Sequence, residues 1–104
     1  MLGFLKVETG KNVSANELEN LIGKAEIIDI REPYEYKTGS IRTAKNIPMG
    51  NLISNPNQYL NKDKTYYIMC QSGARSSRTC KFLLRQGYDV INVTGGISSY
   101  TGTN

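Results

Sequence analysis

The sequence predicts an α/β domain in which a mostly parallel sheet is covered on both faces by helices. Three observations lead there. Short apolar runs rich in β-branched and aromatic residues alternate with segments of helical spacing, the order that βαβ units require. The chain has 104 residues, enough for one compact domain and one hydrophobic core. A cysteine, Cys70, stands where an apolar run gives way to a polar loop, and the carboxyl ends of parallel strands are where such sheets bind ligands.

Taken in order, Ser14 reads as an N-cap, and Glu17 three residues on completes a capping box. Leu18, Leu21 and Ile22 follow at helical spacing, and Gly23 is the expected stop. Glu26-Ile27-Ile28-Asp29-Ile30 reads as a short buried strand. Pro33 suits the first turn of a brief helix from Glu32 to Lys37, which Gly39 ends. Asn46-Ile47-Pro48 reads as a short strand interrupted by its proline. Asn51 to Leu60 has weak helical character, with Pro56 inside it. Thr65 to Met69 is the strand before the cysteine, and Ser77 to Gln86 the helix after it. Cys80, Leu83, Leu84 and Gly87 share one face of that helix, with Gly87 as its stop. Asp89-Val90-Ile91-Asn92-Val93 reads as the last strand, and Gly95-Gly96 as a turn.

Composition excludes several classes of function. The net charge of +4 is spread thinly, without a dense basic run or many interleaved aromatics. That describes a solvated basic surface rather than a nucleic-acid interface. No apolar stretch approaches a membrane span. The opening Met1-Leu2-Gly3-Phe4-Leu5 is too short for the core of a signal peptide, and no small-residue cleavage site follows it. A cytoplasmic protein is the expectation, and a reducing compartment argues against a permanent disulfide between the two cysteines. There is no histidine, hence no Ser-His-Asp triad, no Cys-His dyad and no His-ligated metal. Two isolated cysteines make a poor zinc site, so neither metal nor cofactor is expected. No apolar stripe is left over for assembly, and a monomer is the simplest expectation.

The chemistry therefore centres on Cys70. A Cys at a strand end can be no more than a small buried hydrophobe. Here, however, the residues that follow, Gln71-Ser72-Gly73-Ala74-Arg75-Ser76, are mostly small and polar, which a structural strand end does not need. A loop leading into a helix turns backbone N–H groups and the positive end of the helix dipole toward the sulfur, and both stabilise an anion. The thiolate is the nucleophilic form. An ordinary Cys has a pKa near ~8.5, and lowering it by ~2 units takes roughly 2.7 kcal/mol. Gly73 allows close backbone approach in the loop. Arg75 either curls back around the sulfur or points outward as an ion-paired helix residue. Arg78 either draws anions toward the loop or is simply solvated. Cys80, beside Leu83 and Leu84, reads as core rather than as a resolving thiol. Asp29, Arg31 and Glu35 read as structural support, with an Arg31–Glu35 ion pair tying loops beneath the site, rather than as an acid–base set.

Four stretches carry a family resemblance. Asp29-Ile30-Arg31-Glu32, then Glu35-Tyr36-Lys37-Thr38-Gly39-Ser40-Ile41, then Ala44-Lys45-Asn46-Ile47-Pro48 resemble the first signature of rhodanese-type domains. Cys70-Gln71-Ser72-Gly73-Ala74-Arg75-Ser76 resembles their active-site loop. Gly87-Tyr88-Asp89-Val90 and Val93-Thr94-Gly95-Gly96-Ile97 resemble their closing segment. The resemblance runs from about Ser14 to Tyr100 of a single domain spanning 1–104. It departs at Gly39-Ser40-Ile41, where the family often has Gly-His-Ile, at Thr43-Ala44, where Gly-Ala is frequent, and at Tyr100, where Trp is common.

The resemblance implies a three-layer fold with a central, mostly parallel five-stranded sheet flanked by helices. It implies single-domain sulfurtransferase activity: Cys70 attacks a donor such as thiosulfate or a persulfide, becomes a persulfide, and passes the outer sulfur to a thiol or to cyanide. Gln71, Ser72, Gly73, Ala74, Arg75 and Ser76 then form the substrate-binding loop. The implied partners are a small-molecule sulfur donor and an acceptor thiol, either of low molecular weight or on a thioredoxin-like protein. Two other classes share these features. Phosphatases and arsenate reductases on this fold use Cys-x5-Arg, whereas the spacing here is Cys70-x4-Arg75, and the shorter ring suits sulfur better than phosphate. A non-catalytic module that holds a partner or senses oxidants through Cys70 is the third reading.

Overall fold

The protein is described here by a computed structural model, over residues 11–102; the opening Met1–Leu5 run lies outside the described residues. Five strands, Lys11–Ser14 (β1), Glu26–Asp29 (β2), Lys45–Asn46 (β3), Thr65–Met69 (β4) and Asp89–Thr94 (β5), pair in parallel in the spatial order β1-β5-β4-β2-β3. Ala15–Leu18 (α1) continues into a 3₁₀ turn at Glu19–Leu21. Pro33–Tyr36 (α2), Met49–Ser54 (α3), Pro56–Tyr59 (α4) and Ala74–Arg85 (α5) follow, and a second 3₁₀ turn, Gly96–Ser99, closes the described chain. The architecture is α/β, with a five-stranded parallel sheet between helical layers.

Each face of the sheet has its own apolar cluster. Ile28, Ile30, Ile68, Val90 and Cys70 meet Leu83, Leu84 and Cys80 of α5 and Leu52 of α3 on one side. Ile27, Met69 and Val93 meet Ala15 and Leu18 of α1, with Ile41 and Ala44, on the other. The central strands are thus buried on both faces, which accounts for their unbroken apolar runs.

Local chemistry explains the ends of the elements. The capping box forms as expected: Ser14 Oγ accepts from Glu17 N at 3.1 Å, and Ser14 N donates to Glu17 Oε1 at 2.8 Å. The α-helix it starts ends at Leu18, and the 3₁₀ turn carries Leu21. The Asn51–Leu60 segment is two helices rather than one. Asn55, at φ −152° and ψ 69°, separates them, because the ring of Pro56 bars the helical conformation to the residue before it. Pro48 precedes α3 instead of interrupting a strand; β3 is only Lys45–Asn46. α5 starts at Ala74 rather than Ser77, which shortens the loop after Cys70. β1 has no counterpart in the sequence pattern. Its Lys-Asn-Val-Ser carries no apolar run, and it is held by its pairing with β5.

Most of the buried polar side chains collect at one end of this framework. Asp29 and Arg31 lie at the carboxyl end of β2 and Ser76 lies against the sulfur that follows β4, all three at least nine-tenths buried; Thr79 and Asn92, equally buried, lie within α5 and β5. Among the described residues no helix is long and apolar enough to cross a membrane.

Candidate active site

β4 delivers Cys70 to the floor of a tight turn. Gly73 takes φ +105°, a left-handed conformation that suits glycine, and it caps α5. A Cβ at Gly73 would also lie 3.0 Å from Gly95 N, so the close approach expected there is real. The turn brings Gly73 N to 3.1 Å and Ser76 N to 3.3 Å from Cys70 Sγ. Ser76 Oγ lies 3.4 Å from the same sulfur. The N–H groups that the first turn of a helix leaves without intrahelical partners are thus spent on the thiol.

Burial pushes the Cys70 thiol up, but the Ser76 hydroxyl and the N–H groups of Ser76, Gly73 and Ser72 outweigh it and hold the thiol below its ordinary range. Cys70 is fully buried; Gln71, Ser72 and Ala74 are exposed above it. No imidazole is needed in such a site, and none exists in the chain.

Gly95 and Gly96 brace the turn from behind. Ile97 N donates to Cys70 O at 3.0 Å, and Ser98 N to Gln71 O at 2.9 Å. A Cβ on Gly96, at φ +54°, would meet Cys70 O at 2.3 Å and Gln71 O at 2.6 Å. The Gly95-Gly96 pair, expected only to turn the chain, is therefore part of the wall of the site.

The ion pairs differ from the sequence expectation. Arg31 does not pair with Glu35. Its Nε and Nη2 donate to Asp29 Oδ1 and Oδ2 at 3.0 and 2.8 Å, and Arg31 N donates to Asp29 Oδ1 at 3.0 Å. Two residues apart at a strand end, the two side chains fold onto each other before either can reach α2. Arg31 also donates to Gly39 O at 2.7 Å and Gln71 Oε1 at 3.2 Å, and Ser40 Oγ donates to Asp29 Oδ2 at 2.8 Å. Ser40 thus occupies the departure from Gly-His-Ile with a hydrogen bond to the buried carboxylate. The Gln71 amide is used on both sides, since its Nε2 donates to Ser98 Oγ at 3.0 Å.

Glu35 pairs instead with Arg75, through Nη1 and Nη2 at 3.0 Å each. Because α5 already begins at Ala74, the turn that aims Ser76 N at the sulfur aims the Arg75 side chain at α2. Its guanidinium does not curl around Cys70; its hydrogen bonds go to Glu35. The Arg75 hydrogen bonds lower Glu35 from 4.5 to about 2. Arg78 is exposed on α5. Cys80 is core, as expected, and burial together with the charge of Cys70 pushes its thiol up to about 12.

Two residues behind the sulfur were not anticipated. Ser76 Oγ donates to Asn92 Oδ1 at 2.5 Å, and Asn92 Nδ2 donates to Asn12 Oδ1 at 3.2 Å. An Asn inside the apolar run of β5 was the one signal in the sequence, since a buried amide demands a partner.

A rhodanese-like fold with this loop defines the class. Residues 14–103 match the rhodanese-like domain family, and the chain belongs to it. It is 39% identical over 95 residues to YtwF of Bacillus subtilis (strain 168), whose name gives sulfurtransferase as a provisional assignment; the match covers 88% of this chain and 91% of that one. It is 41% identical over 75 residues to a protein of Allochromatium vinosum named sulfurtransferase, covering 71% of this chain and 69% of that protein. Among solved structures, a rhodanese-like domain protein from Staphylococcus aureus superposes with a TM-score of 0.81 at 34% identity, covering 90% of this chain and 94% of that one.

Proposed function

We propose that the protein is a sulfurtransferase that carries sulfane sulfur on Cys70, taking it from thiosulfate or a persulfide and giving it to a thiol or to cyanide. The observation that carries the reading is the pair of N–H groups, Gly73 N at 3.1 Å and Ser76 N at 3.3 Å, on a sulfur that among the described residues has no general base hydrogen-bonded to it. Such a site supports chemistry that needs an anionic sulfur and no strong base. The relatives named sulfurtransferase support the same reading.

The Cys70 thiolate attacks the outer sulfur of the donor. The donor S–S bond breaks, and sulfite or a thiolate leaves with its electron pair. The product is a Cys70 persulfide anion, whose charge the same N–H groups hold. An acceptor thiolate then attacks the outer sulfur, the new S–S bond breaks, and Cys70 leaves as a thiolate. No net oxidation occurs, and the two half-reactions give ping-pong kinetics. The acceptor is a low-molecular-weight thiol or a thioredoxin-like protein. A phosphatase reading has less support, because the turn from Cys70 to the helix is only Gln71-Ser72-Gly73 and the Arg75 guanidinium is committed to Glu35.

Mass spectrometry tests the proposal. Incubation with thiosulfate or a small persulfide should add the mass of one sulfur atom at Cys70, removable by a thiol or cyanide and absent from Cys70→Ser. An intact protein that takes up sulfur from neither donor, or one that hydrolyses an aryl phosphate robustly through Cys70, overturns it.

A further inference from the structure

Behind Cys70, polar groups stand in a row that runs from Ser76 to the sheet edge. Ser76 Oγ is 3.4 Å from Cys70 Sγ and 2.5 Å from Asn92 Oδ1, and Asn92 Nδ2 is 3.2 Å from Asn12 Oδ1. Asn92 lies in register with Ile68 of β4 and with Asn12 of β1. It is 7% exposed, in the middle of a core strand. A buried amide costs free energy unless it is bonded, and it adds nothing to an apolar layer. The sulfur-transfer steps above make no use of it.

The Ser76 hydroxyl has one proton. Asn92 Oδ1, Gly73 O at 3.2 Å and a charged Cys70 compete for it. Two oxygens 2.5 Å apart attract only when a proton lies between them, so here the proton is on the Asn92 side. Ser76 then shows a lone pair to the sulfur. That arrangement suits an S–H, which donates to it; the hydroxyl favours the thiolate, as described above for Cys70, only when its proton is turned to the sulfur. The opposite polarity needs only half-turns of two amides, which exchange O for N. Asn12 Nδ2 then donates to Asn92 Oδ1, Asn92 Nδ2 donates to Ser76 Oγ, and the hydroxyl donates to the sulfur anion. Every link from Asn12 to the sulfur is a hydrogen bond in either direction.

We propose that Asn92, backed by Asn12, is a positioning residue that sets the direction of the Ser76 hydroxyl, so that the row runs one way beside a Cys70 thiol and the other way beside a thiolate or persulfide anion. The functional value of this rests on Cys70 being the sulfur carrier proposed above. Among the described residues, the charged and titratable groups around the row are Arg75 with Glu35, Arg31 with Asp29, and Cys80, while Lys11 and Lys81 line the cleft that Asn12 and Asn92 share. None of them is a link in the row, so its direction can be changed without removing one.

The experiment replaces each amide by a group that only accepts. Cys70 is alkylated with a small uncharged reagent across a pH series, in a Cys80→Ala background so that one thiol reports. Asn12→Asp, on the exposed edge strand, accepts from Asn92 Nδ2 and holds Asn92 Oδ1 toward Ser76. It should raise the midpoint and slow alkylation at neutral pH by about threefold. Asn92→Asp should slow it by about tenfold, and Asn92→Leu, which offers no acceptor, should not slow it. A carboxylate also acts through its charge alone, so both Asp variants are repeated with Ser76→Ala, which cuts the row. Most of each shift should then disappear. Shifts of equal size with and without the Ser76 hydroxyl, or no shift in Asn12→Asp, overturn the proposal; Asn12→Asp decides alone if Asn92→Asp does not fold. Alkylation does not depend on sulfur transfer. A normal set of shifts in a protein that never takes up sulfur therefore sinks the sulfurtransferase reading and leaves the row standing.

Discussion

Cys70 and Cys80 belong to the same apolar cluster and are 0% and 5% exposed, yet their thiols move in opposite directions. Cys80 faces Leu83, Leu84 and the sheet from the middle of a helix, where every N–H is already bonded; burial, with the charge of Cys70 added to it, drives the thiol up to about 12. Cys70 sits where a helix begins, and the N–H groups left over at that end outweigh its burial. Burial therefore does not separate an inert cysteine from a reactive one. The supply of unused donors does, and the backbone supplies most of them here.

The largest effect should come from exchanging the roles of the two thiols. Cys70→Ser should cut sulfur transfer by about a thousandfold or more, to the detection limit, with the fold intact. Cys80→Ala should keep most of the activity while lowering stability by about 1–2 kcal/mol, the size of a small core truncation. Turnover assays and thermal melts on both variants check this. If Cys80→Ala abolished turnover in a folded protein, Cys80 would be a second working thiol and the contrast would fail.

Next comes the wall behind the turn. Gly96→Ala places a Cβ against Cys70 O and Gln71 O, where 2.3 Å and 2.6 Å leave no room. The turn must move, and with it the N–H groups aimed at the sulfur. A loss of about 2 kcal/mol in stability and more than tenfold in Cys70 alkylation at neutral pH is expected. An unchanged alkylation profile would show that the cradle does not depend on this brace.

Ser76→Ala removes the side-chain donor and leaves the backbone ones. Hydrogen bonds to a charged group contribute about 1.5–3 kcal/mol, so the Cys70 midpoint should rise by about one pH unit and alkylation near neutrality should slow about tenfold. The sign follows from which form the hydroxyl favours: a lost donor weakens the thiolate, and deprotonation moves to higher pH. Thermal stability should fall as well, by about 1–3 kcal/mol, because Ala leaves the buried Asn92 Oδ1 without its donor.

The parts legible in the sequence are those that local rules determine. The capping box at Ser14, the β4–turn–α5 unit and Cys70 at its junction all follow from residue order. β1 was not legible because Lys11-Asn12-Val13-Ser14 has neither alternation nor an apolar run; its strand conformation comes from β5, distant in sequence. The break at Asn55 was legible in principle, from the residue before Pro56. The ion pairs were not: two acids and two arginines offer more than one pairing, and only the early start of α5 sends Arg75 to Glu35 and leaves Arg31 to Asp29. Thr43 shows the reverse case. Its φ of +71° is a conformation that favours glycine, which gives a physical reason for the Gly that the family resemblance led us to expect there. Asn92 gave a signal, an amide in an apolar strand, but its meaning appears only when Ser76 and Asn12 are placed on either side of it.

The smallest expected effect concerns Arg75, whose charge helps Cys70 at a distance while its hydrogen bonds go elsewhere. The Glu35 carboxylate, held by both of its oxygens on the same guanidinium, is expected to offset much of that charge at the sulfur. Arg75→Ala removes the cation and leaves the carboxylate, so it should raise the Cys70 midpoint by about half a unit and slow alkylation at neutral pH about threefold. Arg75→Lys should recover part of that, because an ammonium restores the charge without the planar fork that binds both Glu35 oxygens. The decisive variant is the double one. Arg75→Ala with Glu35→Gln removes both charges, and its alkylation profile should return close to that of the parent protein. Recovery in the double variant identifies the pair as a neutral brace between α2 and α5, with the N–H groups carrying the electrostatics of the site. A double variant as slow as Arg75→Ala alone would instead assign the guanidinium a direct part in holding the sulfur anion.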